Sequence, residues 1–78
     1  MTSSYREQVA KEFGSFIREA REKRGLLQAD VAERAKISRG YYAHIENGNR
    51  EIYFALAMTL CGVVGADIND FAKRMMGK

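Results

Sequence analysis

Proline and tryptophan are absent from this 78-residue sequence, and cysteine and histidine occur once each. A single cysteine excludes a disulfide framework within the chain. Cys61 lies in an apolar stretch apart from His44, so these two residues predict no metal site. The longest apolar stretch, residues 52–64, is shorter than the about 20 residues that a membrane-spanning helix needs. The polar N-terminus has no apolar signal segment, so we expect a cytoplasmic protein without a membrane partner.

The residues that are present are typical of one small globular domain spanning 1–78. Hydrophobic residues make up 46% of the chain and charged residues 29%, which excludes a disordered composition. Thirteen Lys and Arg against ten Asp and Glu give a net charge of +3. This mild excess allows a polyanionic partner such as nucleic acid without requiring one.

Apolar residues recur at spacings of three and four, which predicts helices rather than strands. Val9, Phe13 and Ile17 follow this spacing in the first predicted helix. Ser38 is a natural N-cap for the third helix, and Asp67 for the fifth. Gly48 favours a left-handed stop after the third. The sequence therefore predicts an all-α fold, a compact bundle of five helices over residues 6–24, 28–35, 39–47, 53–63 and 68–76.

The third predicted helix has two distinct faces on a helical wheel of 100° per residue. One arc is apolar and includes Tyr42 and Ile45. The other arc contains only basic, small or polar residues, namely Arg39, Gly40, Ala43, His44 and Asn47. Arginine can bond guanine, and small residues allow close approach to the major groove. A plain amphipathic surface helix would show the same pattern, so the arc alone does not decide between the two.

The neighbouring segments favour DNA binding, because a short helix, a turn and a second helix follow one another here. Residues 13–71 resemble the Cro and phage-repressor type of helix-turn-helix domain. The resemblance rests on Ile17-Arg18 with Arg21, and on Gln28, Val31-Ala32, Ile37-Ser38 and Ile45-Glu46-Asn47-Gly48. It implies a helix-turn-helix at about residues 28–47, as in phage repressors and the controller proteins of restriction-modification systems.

The resemblance also implies roles for individual residues. Arg39 and His44 would read bases, while Gly40 and Ala43 would let the helix approach the groove. Arg21 and Glu46 would form a partly buried, structural ion pair. Phosphate contacts are expected from Gln28, Lys36, Tyr41, Asn47, Asn49 and Arg50. For Tyr41, simple packing of the ring is an equal alternative to a phosphate contact.

Three residues depart from the family pattern. Leu27 stands where Ser or Thr usually caps the second helix, which removes a side-chain N-cap. Lys36 stands where glycine is usual, so a left-handed backbone there would be mildly strained. Ile52 replaces a common proline. None of the three lies on the arc that faces DNA.

The fourth predicted helix is apolar on every face apart from Thr59 and a tyrosine hydroxyl. A helix of this kind must be covered on more than one side, and a bundle of this size covers one side well. We therefore expect a homodimer built on residues 52–76. The predicted interface residues are Tyr53, Leu56, Leu60, Phe71 and Met75.

These observations predict a sequence-specific regulator of transcription that binds double-stranded DNA as a homodimer on a palindromic operator. No catalytic spacing, metal cluster or phosphate loop is present in the sequence, so we expect neither an enzyme nor a cofactor. Two alternatives remain open. One is an antitoxin that represses its own operon, and the other is a protein-interaction module on the same fold. A toxin or RNA polymerase is a further partner compatible with these functions.

Overall fold

Five helices form the described part of the protein in a computed structural model that covers residues 4–77. Residues 1–3 and 78 of the predicted domain lie outside the described residues. No strand occurs within 4–77, so the all-α prediction is confirmed. The helices, all within two residues of their predicted bounds, are α1 (Tyr5–Lys23), α2 (Gln28–Ala35), α3 (Arg39–Glu46), α4 (Phe54–Val64) and α5 (Ile68–Met76).

Short polar side chains begin three of the helices, because they satisfy backbone N–H groups that have no partner within the helix. Ser4 accepts from Glu7 N at 3.2 Å, and the Glu7 carboxylate accepts in return from Ser4 N. The Ser38 hydroxyl accepts from Tyr41 N at 3.0 Å. Asp67 accepts from Asn69 N at 2.9 Å. The caps predicted at Ser38 and Asp67 are therefore confirmed.

The turn between α2 and α3 contains the departures that the sequence indicated. Leu27 precedes α2 without a side-chain cap, and the Asp30 carboxylate instead accepts from Leu27 N at 2.8 Å. Lys36 ends α2 with φ 61° and ψ 40°, the left-handed conformation that glycine adopts more easily. The predicted strain at Lys36 is thus present. Lys36 begins the short turn that leads from α2 to α3.

The core fixes α3 from behind through α1 and α2, and it continues from there onto α4. Its most buried side chains are Phe13, Ile17, Val31, Tyr42, Ile45, Leu60 and Val64. Gly14 allows the α1 backbone to lie directly on the end of α3. A Cβ added at Gly14 would lie 2.6 Å from the Glu46 carbonyl oxygen and would also collide with that of Ile45. The orientation of α3 therefore depends on close backbone contact as well as on side-chain packing.

Helix α5 lies on α1 and has no fully buried residue. The Phe71 ring packs edge-on against Phe13, with centroids 5.3 Å apart, and also lies beside Phe16. Arg74 adds a polar attachment to α1, where its guanidinium bonds Ser15, Glu12 and Glu19 at 3.0–3.2 Å. Aromatic packing and one arginine thus hold α5 in place.

Helix α4 buries one face and exposes the other. Leu56 and Leu60 are 4% and 0% exposed and belong to the core, so their prediction as interface residues is wrong. The opposite face is exposed and carries Phe54, Ala55, Met58, Thr59 and Gly62. Within residues 4–77, no single helix meets the length and hydropathy of a membrane span. Only α4 and α5 together, bent by 113°, do so by length and composition.

Candidate nucleic-acid interface

The front of α3 is an open surface without an exposed acid. Arg39, Gly40, His44 and Asn47 are exposed, and Ala43 is partly exposed. A Cβ added at Gly40 would meet no atom within 4 Å. The single acidic residue of α3, Glu46, is turned into the core. The structure therefore places the five residues of the predicted arc together on one accessible face.

Behind this face lies a bidentate ion pair between α1 and α3. Arg21 Nε donates to Glu46 Oε2 at 2.6 Å, and Arg21 Nη2 donates to Glu46 Oε1 at 3.1 Å. Arg21 Nη1 also donates to the Leu26 carbonyl oxygen at 2.8 Å, just before α2. The predicted pair is thus present, and it joins three segments of the chain around the end of α3.

The charges of this pair are stabilised by each other. Burial alone would raise the pKa of the Glu46 carboxyl, but the hydrogen bonds from Arg21 and Gln28, together with the nearby Tyr42 hydroxyl, outweigh it and hold that pKa below its usual range. The hydrogen bond to Glu46 raises the pKa of the Arg21 guanidinium despite its burial. Both groups are therefore charged at neutral pH.

Gln28 joins the same network, which the sequence did not predict. Its Nε2 donates to Glu46 Oε1 at 3.0 Å, across the junction of α2 and α3. In this state one N–H of the amide is bonded within the protein and is not available to a phosphate. Carboxylate oxygens accept several donors each, so a buried Glu46 with one arginine partner was a signal that a further donor should lie nearby.

A groove of about 450 Å³ opens beside the start of α2. Its lining residues are Arg21, Leu27, Gln28, Ala29 and Arg39. Arg39 supplies the positive charge, since that of Arg21 is paired with Glu46, and the first turn of α2 contributes its positive dipole end. The groove thus brings predicted base-reading Arg39 and predicted phosphate-binding Gln28 to one surface that suits an anion.

A second group of predicted DNA contacts follows α3. Asn47, Asn49 and Arg50 are exposed, as is Lys36 on the turn before α3. The Arg50 guanidinium lies 5.7 Å from the centroid of the Tyr41 ring, a cation–π contact that sequence reasoning missed. Tyr41 is partly buried, so its ring packs, as the alternative interpretation expected. This contact holds Arg50 on the same side of the protein as α3.

An apolar surface occupies the exposed side of α4. Phe54 is 75% exposed, and Tyr53 and Met58 are also exposed. Of the other predicted interface residues, Phe71 is turned toward the aromatic cluster on α1, and Met75 is partly buried. Phe54 and Met58 were not predicted, although they occupy the face opposite the buried leucines.

Comparison with known proteins agrees with this architecture. A helix-turn-helix domain family matches residues 14–74. No curated protein sequence matches the chain significantly. The clp gene regulator ClgR from Corynebacterium glutamicum has a similar structure, with a TM-score of 0.82 and 26% sequence identity. The match covers 88% of this chain and 73% of that one.

Two restriction-modification controller proteins also share the fold. C.AhdI from Aeromonas hydrophila matches with a TM-score of 0.78 at 22% identity, over 87% of this chain and 99% of that chain. C.Esp1396I, as a tetramer in complex with its natural 35 base-pair operator, matches with a TM-score of 0.77 at 17% identity. The coverage is 96% of this chain and 95% of that chain. At such identities these two likenesses concern the fold alone.

Proposed function

Since the chain belongs to the helix-turn-helix domain family, as its resemblance to the Cro and phage-repressor type predicted, we propose that it is a transcriptional regulator that binds double-stranded DNA sequence-specifically. The observation that carries the proposal is the exposed, acid-free front of α3, held from behind by the Arg21–Glu46 pair. A helix with this front fits the major groove, where base edges present a distinct pattern of donors and acceptors.

Base reading is assigned to the front of α3. Arg39 stands at the start of the helix, where recognition helices contact base edges, and its guanidinium can bond guanine O6 and N7 together. His44 lies further along the same face and can bond a base edge. Gly40 and Ala43 have side chains small enough to let the helix approach the bases.

Phosphate contacts are assigned to both ends of this surface. Gln28 and the start of α2 face the groove at one end. Lys36 lies on the turn, while Asn47, Asn49 and Arg50 lie at the other end of α3. Tyr41 contributes through the cation–π contact that holds Arg50. Such contacts fix the position of a protein on the duplex but carry no sequence information themselves.

The active form is proposed to be a homodimer that recognises a palindromic operator. The exposed apolar surface formed by Tyr53, just before α4, and by Phe54 and Met58 on α4 supports this proposal, because isolated domains rarely expose large contiguous apolar patches. One recognition helix reads only a few base pairs, whereas two related by a two-fold axis read two half-sites. The regulators that share the fold include one crystallised as a tetramer on its operator.

The test is binding of the purified chain to duplex DNA from upstream of its own gene, measured across a range of salt concentrations. If a dimer neutralises on the order of six phosphates, log K falls with log salt concentration at a slope of about −5. Affinity for a scrambled duplex of equal length is the control and should be at least about a thousandfold lower. A nearly flat salt response with equal affinity for the scrambled duplex would contradict the proposal and favour a protein-interaction module.

A further inference from the structure

The Tyr42 hydroxyl is a buried polar group without a hydrogen-bond partner. Tyr42 is 0% exposed. Its hydroxyl is the one buried side-chain nitrogen or oxygen among the described residues that has no hydrogen-bond partner. Most buried polar groups in proteins are bonded, so an exception calls for an explanation. An aliphatic side chain or a phenylalanine would fill the core at this position without introducing a hydroxyl. Packing alone therefore does not account for the tyrosine.

The hydroxyl lies next to the network that holds Gln28. Tyr42 is four residues before Glu46 on α3, so the two side chains share one face of the helix. Burial raises the pKa of the Tyr42 phenol, and the adjacent Glu46 carboxylate raises it further. In the structure, Glu46 Oε1 is already occupied by donors from Arg21 and Gln28. The hydroxyl is thus a donor beside a carboxylate, one oxygen of which already has two donors.

The position that Gln28 occupies on Glu46 becomes free if the amide turns outward to bind DNA. The Glu46 side chain is 1% exposed, whereas a phosphate approaches Gln28 from the solvent. If the N–H that is bonded to Glu46 Oε1 donates to that phosphate instead, the amide nitrogen turns away from Glu46. A buried carboxylate that loses a donor without replacement is costly, and this cost would weaken DNA binding.

We propose that Tyr42 is a positioning residue for DNA binding, whose hydroxyl takes the place of the Gln28 amide on Glu46 when that amide turns to a phosphate. The inference rests on the proposed function and adds a partner exchange inside the domain. The free protein keeps one unsatisfied hydroxyl, and the DNA-bound protein satisfies it. Part of the cost of releasing Gln28 is thereby offset.

The exchange predicts opposite effects of Tyr42→Phe on folding and on binding. Removal of an unbonded hydroxyl leaves the Tm of the free protein unchanged or raises it by a few degrees. The same substitution lowers the affinity for DNA by about fivefold, because Glu46 then lacks a replacement donor. A merely structural tyrosine would change the Tm without changing the affinity.

The experiment is a double-mutant cycle with Tyr42→Phe and Gln28→Ala. Fluorescence anisotropy measures the affinity of each variant for a duplex that the wild-type chain selects from a randomised pool. We expect the loss from Tyr42→Phe to disappear in the Gln28→Ala background, since no amide then leaves Glu46. Tyr5→Phe, an exposed tyrosine at the start of α1, is the matched control and should bind as wild type does.

Two results would overturn the inference alone. One is wild-type affinity in Tyr42→Phe, and the other is an equal loss in both backgrounds. The comparison between backgrounds remains decisive if Tyr42→Phe also lowers the Tm, provided that all four proteins are folded at the temperature of measurement. Failure of the wild-type chain to select any duplex would instead contradict the proposed function.

Discussion

Glu46 is the residue on which the geometry of the interface depends. Its carboxylate accepts three hydrogen bonds from Arg21 and Gln28, so one buried acid joins α1, α2 and α3. A buried ion pair of this kind need not add net stability, because desolvation offsets the attraction. Removal of one partner is nevertheless costly, about 3–5 kcal/mol, since the other charge stays buried. The pair thus determines where α3 lies more than it determines how stable the domain is.

Arg39→Ala should reduce discrimination between operator variants. We expect a loss of about 1–3 kcal/mol at one base position, because a bidentate contact to guanine is lost, with a smaller loss on non-specific duplexes. Competition binding with single-base operator variants measures this effect. Gln28→Ala is the matched control, for which a phosphate contact predicts a uniform loss on every sequence. Uniform weakening by Arg39→Ala would reassign that residue to phosphate binding.

Acidification should destabilise the domain through Glu46. Because its folded-state pKa lies below the unfolded value of about 4.3, the pair contributes stability above that value and loses it as the pH falls through the folded pKa. Urea unfolding between pH 6 and pH 3 measures the change. Glu46→Gln should flatten this dependence in part, since the hydrogen bond from Arg74 also lowers the pKa of Glu19. An unchanged slope in Glu46→Gln would exclude Glu46 as a contributor.

At the scale of the helices, residues that cap or end helices made the boundaries predictable. Helix α5 occupies its predicted residues 68–76, because the Asp67 cap acts on the neighbouring backbone itself. Helix α2 also occupies its predicted residues 28–35, although Leu27 gives it no side-chain cap. The buried face of α4 was not predictable in the same way. A helix that is apolar on every side has no sequence pattern that marks its buried face. The burial of Leu56 and Leu60 and the exposure of Phe54 and Met58 could therefore not be predicted.

The candidate site was predictable to the extent that helical geometry determines it. The wheel placed Arg39 and His44 on one face because both lie within a single short helix. The bond from Gln28 to Glu46 joins two helices, and its existence depends on their crossing and on side-chain rotamers. The contact of Arg50 with Tyr41 depends equally on the path of a loop. Neither follows from spacing along the chain.

Lys36→Gly should stabilise the turn between α2 and α3. The left-handed backbone at Lys36 costs a non-glycine residue about 1 kcal/mol, and we expect the free energy of unfolding to rise by up to that amount. Urea unfolding provides the measurement. Lys36→Ala is the control, since it removes the same charge but keeps the strain. An equal gain in both variants would mean that charge, and not backbone conformation, is responsible.

At the scale of the whole molecule, the domain has two exposed surfaces of different character. The front of α3 is basic and polar, while the exposed face of α4 carries Phe54 and Met58. A chain of this size has a marginal core, so association through the second surface would add burial that the monomer lacks. The proposed regulator needs both surfaces, one to read a half-site and one to pair the two readers.

Sedimentation velocity at micromolar concentration should detect a dimer. Phe54→Lys should convert it to a monomer, because a charge would then have to be buried within the apolar face of α4. Leu27→Lys is the matched control, since Leu27 is similarly exposed but lies beside the groove at the start of α2. A wild-type chain that is strictly monomeric, and that binds a single half-site with full affinity, would refute the dimer.

The central claim is that α3 reads DNA sequence in a two-fold symmetric assembly. Selection of duplexes from a randomised pool by the purified wild-type chain tests it most directly, with sequencing of the enriched duplexes as the readout. The account predicts enrichment of one palindromic motif whose half-sites lie about 34 Å apart, one turn of the double helix, and loss of a specified base in each half-site with Arg39→Ala. Retention of duplexes without any common motif would contradict it.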